Sequence, residues 1–165
     1  MEIGGLQTKF NVQNPPEAFL EGECQRASRF HLRFLQSLPR LTVDSLSARA
    51  LGSGIYEIKA AVGNLGYLPA NLTELARSLK LSDGVKVQIE GGELLSGKAE
   101  EEPGDLEGYS ATGISFHGNP GTISKAKARK SLRWLIRAKP GDCVAVKASQ
   151  SKAGTAELSL VLQGE

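Results

Sequence analysis

Hydrophobic positions recur at helical spacing most strongly over Pro15 to Leu38, where Phe19, Leu20, Ala27, Phe30, Phe34 and Leu38 share one side, broadened by Leu35. Asn14 is placed to cap this helix, Pro15 and Pro16 suit its first turn, and Glu17 sits at the positive end of its dipole. Pro39 ends it, because the proline ring excludes the preceding residue from the helical region. The resulting N-terminal amphipathic helix needs a surface to cover its apolar face. That surface is either the domain that follows or one lying upstream, and Phe19, Phe30 and Phe34 are the candidate interdomain packing residues.

After Pro39 the period drops to two. Leu41 and Val43 open a strand that Leu46, Ala48 and Ala50 continue on the opposite parity, which predicts a bulge near Asp44-Ser45. Gly52-Ser53-Gly54 is a tight connection into a half-buried strand, Tyr56, Ile58, Ala60 and Val62 alternating with Glu57, Lys59 and Ala61. Asn64 to Pro69 reads as a turn-rich exit, and Thr73 to Leu79 as a short helix or an extended stretch. Val85, Val87 and Ile89 form another strand, and Gly91-Gly92 then reads as a hairpin into Leu94-Leu95-Ser96-Gly97. An acidic loop carries Glu100, Glu101, Glu102, Asp105 and Glu107, and Gly113 to Gly121 is loop-like. The most regular strand places Leu132, Trp134, Ile136 and Ala138 on one face. Lys139-Pro140-Gly141-Asp142 makes a turn, followed by strands over Val144–Ala148 and Ala156–Leu162.

Six or seven short strands with turn signals at intervals of about ten residues predict a mostly β chain. The expected fold is an antiparallel β-sandwich, immunoglobulin-like or transthyretin-like, behind the N-terminal helix. Residues 1–39 would be a junction and connector helix, and residues 40–165 the sandwich. Helices do not alternate with the strands, which disfavours a doubly wound sheet.

Composition narrows the functional classes. The 165 residues are 40% hydrophobic and 23% charged with a net charge of +2, so any electrostatic message is local. Aromatic residues make up 5%, too few to supply a stacking surface for nucleic acid. No apolar run approaches the ~20 residues that span a bilayer. Cys24 and Cys143 are too few for a secreted disulfide scaffold and too far apart for a zinc knuckle, and two reduced thiols fit a cytoplasmic location.

Candidate chemistry is thin. His31, on the helix, and His117, in a Gly-Asn-Pro loop, have no ligand-spaced partner, so both read as packing or surface residues. The acidic loop lacks the spacing of a calcium loop, and no nucleophile elbow, phosphate loop or dinucleotide fingerprint is present. Cys24 has Arg26 and Arg29 nearby but no evident base. No catalytic, cofactor or metal residue is assigned. The strand to Arg137 is more informative, since Lys125, Lys127, Arg129, Arg133 and Arg137 share the face opposite its apolar positions. This basic stripe suits an independent module that recognises an acidic peptide, glycan or surface. It suits better charges that keep a sheet from self-associating, or that the acidic loop covers, since aromatic interleaving is absent and the net charge is small.

Glu2-Ile3-Gly4-Gly5, Lys9-Phe10, Asn14-Pro15-Pro16 and a helix bearing Phe19-Leu20-Glu21 and Phe30 together resemble a recurring junction. It is similar to the segment just after the catalytic domain in a bacterial branch of the zinc carboxypeptidases, the carboxypeptidase A-like superfamily. Asn64-Leu65-Gly66-Tyr67-Leu68-Pro69 in the β domain extends the likeness, as do Leu94-Leu95-Ser96-Gly97-Lys98 and Leu106-Glu107-Gly108. The resemblance implies a bacterial, noncatalytic accessory domain with Met1 at the point of excision. Its partner would be the upstream peptidase domain of the same polypeptide. It also implies zinc in that parent, but the family's His-x-x-Glu pair and distant histidine match no position here. Glu2 lies near the boundary and is not assigned as the general base.

Overall fold

The computed structural model describes residues 13–109 and 128–164, and the change of period at Pro39 separates a helix from a run of strands. The chain divides after Ser37 into two units. The first contains α1 (Glu17–Gln36). Pro16 occupies the N-cap position with an extended ψ of 146° and no side-chain cap, so both prolines precede the helix instead of filling its first turn. Asn14 therefore lies outside the capping position. At the other end Ser37 is the C-cap, its hydroxyl donating to the Phe34 carbonyl at 2.6 Å, so the helix stops short of Leu38. Glu17 in the first turn and Arg33 in the last both complement the dipole. An Arg26–Glu23 pair and a Gln25–Glu21 bond of 3.1 Å add the short-range contacts of a solvated helical side.

The second unit is a β-sandwich. Its strands are β1 (Leu41–Gly52), β2 (Ile55–Asn64), β3 (Lys86–Glu90), β4 (Glu93–Ser96), β5 (Glu100–Glu101), β6 (Arg129–Arg137), β7 (Cys143–Gln150) and β8 (Gly154–Val161). Between β2 and β3 lies one helical turn, α2 (Glu74–Ser78), whose N-cap Thr73 hydroxyl accepts from the Ala76 amide at 3.1 Å. One sheet has the order β1-β2-β6-β4 and the other β5-β3-β7-β8, every pairing antiparallel.

The expected bulge is present, the β1–β2 register shifting between Val43 and Ser45. The expected hairpin at Gly91-Gly92 is not. β3 pairs with β5 and β7, while β4 pairs with β6 in the opposite sheet. The two glycines, at φ 105° and 77°, turn the chain across the gap between the sheets. A β-carbon on Gly91 would meet the Cys143 carbonyl oxygen at 2.3 Å, so the crossing runs hard against the start of β7. The acidic loop is likewise part strand: Glu100 and Glu101 form β5 against β3.

The core lies between the sheets, where the period-two alternation of both is buried. Tyr56, Ile58, Ala60 and Val62 of β2 and Trp134 and Ile136 of β6 face Val87 of β3 and Val144, Val146 and Ala148 of β7. Val85, Leu106, Ala153 and Leu162 close the ends from the loops. Two buried amides organise those loops. Asn64 receives the Arg40 and Gly66 amides on its oxygen at 3.0 and 2.8 Å and donates to the Leu68 carbonyl at 2.9 Å. Gln150 accepts from the Lys152 and Ala153 amides, both at 2.6 Å, and donates to the Ser82 hydroxyl at 2.8 Å.

Candidate functional site

The outward face of the β1-β2-β6-β4 sheet carries the three arginines of the basic stripe that lie among the described residues. Parity sends Arg129, Arg133 and Arg137 to that face of β6, as the alternation requires, while Lys125 and Lys127 lie outside the described residues. Each arginine meets a carboxylate from another strand of the same sheet, β1, β2 or β4. Arg129 Nε lies 2.5 Å from Asp44, Arg133 Nε 2.6 Å from Glu57, and Arg137 2.9 Å from Glu93. Two carboxylates of the acidic loop pair away from this face. Glu100 pairs with Lys86 and Gln88 on β3, and Asp105 with Arg77 at 2.8 Å.

Glu57 departs from the expected alternation. Its position on β2 points outward, yet it is only 2% exposed. Arg49, its register partner on β1, approaches to 3.0 Å, Lys59 to 3.4 Å and Arg133 to 2.6 Å, and these long side chains roof it over. Burial works to raise its pKa, but the Arg133, Lys59 and Arg49 charges together outweigh burial and hold the carboxyl below its usual 4.5. A depressed carboxylate stabilises the fold fully above its unfolded pKa and loses that contribution as pH falls through the folded value. Glu57→Gln is therefore expected to lower the melting temperature at pH 7. The gap from the parent chain should narrow as pH falls below the usual 4.5 and through the lowered folded value, read by circular dichroism melts at descending pH.

The remaining candidates are scattered. Phe19, Phe30 and Phe34 are all exposed on α1, at 64%, 67% and 54%. His31 sits beside Phe30 with ring centroids 5.8 Å apart, and its Nδ1 lies 2.8 Å from the Ala27 carbonyl oxygen. Both cysteines are free and exposed, and Glu2 and His117 lie outside the described residues. Among the described residues no three His, Cys, Asp or Glu side chains converge, and no helix is long and apolar enough to cross a membrane. Sequence reasoning missed Glu57, whose buried environment depends on side chains from three strands.

No curated protein sequence matches the chain. A family model does match, over residues 40–161, which is the sandwich without α1. The chain belongs to the family described as a domain of unknown function, DUF8731.

Proposed function

We propose that this chain is the noncatalytic C-terminal domain of a zinc metallocarboxypeptidase, supporting or gating an upstream peptidase domain that removes C-terminal residues from peptides. The junction motif from Glu2 to Pro16 supports this reading. The observation that carries it is the apolar stripe that Phe19, Phe30 and Phe34 form along one side of a single helix. Covering a phenylalanine is worth about 2 kcal/mol, so three on one connector favour a partner surface. In this reading the zinc and the proton-shuttling glutamate belong to the upstream domain.

The test compares this chain with the full product of its gene for zinc stoichiometry and peptidase turnover. Zinc and turnover are expected in the longer protein alone, and turnover by this chain itself would overturn the proposal. Phe30→Asp with Phe34→Asp should leave the melting temperature of the isolated chain within about 2 °C, as surface substitutions do. The same pair should weaken its binding to a separately expressed peptidase domain at least about tenfold. An independent binding module remains the second reading, favoured by the three cations gathered around the single Glu57 carboxylate.

A further inference from the structure

Register builds a depression of about 420 Å³ on the outward face of the β1-β2-β6-β4 sheet. Ser45, Ala61 and Ser131 lie side by side across β1, β2 and β6, and Ser47, Lys59 and Arg133 form the next row. Alanine between two serines keeps the floor low, and the two long cations make a wall along one side. The three serine hydroxyls have no hydrogen-bond partner among the described residues.

Charge on this face is unevenly spread. Arg129 and Arg137 are each matched by one carboxylate, Asp44 and Glu93. Arg49, Lys59 and Arg133 share Glu57 alone, which leaves two positive charges in excess beside the serines. An ammonium has three donors and a guanidinium five, more than one carboxylate takes up. Glu57 also ties both wall cations in place, so a ligand arriving there orders little that is not already ordered.

We propose that this depression binds an oxyanion, a carboxylate or a phosphate group, held by charge-assisted bonds from Lys59 and Arg133 and by the hydroxyls of Ser45, Ser47 and Ser131. The site goes beyond the accessory reading and does not depend on it. It uses two of the sheet's cations together with three serines that carry no charge.

The test is an NMR titration of the 165-residue chain with inorganic phosphate and, separately, with a hexapeptide of glutamate. Saturable shifts are expected at the amides of Ser47, Lys59, Ala61, Ser131 and Arg133, weakening as salt is raised. Saturation by phosphate alone assigns a free anion; saturation by the peptide assigns a presented carboxylate. Ser131→Asp sets a repelling charge on the floor while leaving every Glu57 partner in place, and should weaken binding about tenfold. Lys59→Gln should do the same with Arg49 and Arg133 still on Glu57, and melts of both variants report that the fold survives. Absence of saturation by either probe up to roughly 20 mM, or affinity unchanged in both variants, would overturn the site.

Discussion

Asn64→Ala is expected to cost about 3 kcal/mol, because one side chain satisfies polar groups from three separate segments. Its oxygen takes the amides of Arg40, just after the connector, and Gly66, while its nitrogen reaches the Leu68 carbonyl and lies 3.5 and 3.4 Å from those of Leu106 and Glu107. Asn64 is 7% exposed, so truncation strands several of these groups away from full solvation. The surroundings leave little room to adapt: a β-carbon on Gly66 would lie 2.3 Å from the Leu38 carbonyl oxygen, and one on Gly108 2.3 Å from that of Tyr67. Urea denaturation should show the loss as a lower midpoint with an unchanged m-value. A midpoint within error of the parent would mean that water replaces the amide, and the hub would then carry no special weight.

Trp134→Ala should cost about 4 kcal/mol and is the most damaging single substitution expected in the core. Trp134 is 1% exposed, is among the largest fully buried side chains, and its indole nitrogen donates to the Lys98 carbonyl at 2.9 Å. That bond ties β6 to the crossing that leads from β4 toward β5. Gly97 lies against the ring, where a β-carbon would sit 2.5 Å from the indole Cδ1. Trp134→Phe keeps most of the volume and loses the donor. It should recover more than half of the loss in a thermal melt, separating packing from the hydrogen bond. Equal destabilisation by both variants would contradict this account.

The strand pattern was legible because the core residues Tyr56 to Val62 and Leu132 to Ile136 alternate without interruption, and alternation is a local property. The parity break in β1 identified its bulge for the same reason. Pairing partners are not local. Gly91-Gly92 has the local chemistry of a hairpin, yet β4 joins β6 because the turn carries it to the other sheet. Glu57 looked like a solvated outward residue, since nothing adjacent to it reveals that Arg49 and Arg133 would fold over it. The arginines of β6 were assigned to the correct face, but their carboxylate partners come from β1, β2 and β4, and the serine-lined depression emerges only when three strands are set in register. Asn64 read as the start of a turn, and its role depends on Leu106 and Glu107, more than forty residues away.

Among the described residues the strands from β2 to β7 alternate between the two sheets, so neither sheet is a continuous piece of polypeptide. A division of the chain within that run separates strands that must pair again, as β2 must find β6 and β3 must find β7. Such an arrangement has no half that could persist by itself, which favours all-or-none unfolding over stepwise loss of one layer. It also places the formation of the sandwich late, after distant segments have met, with the slow folding that non-local pairing brings.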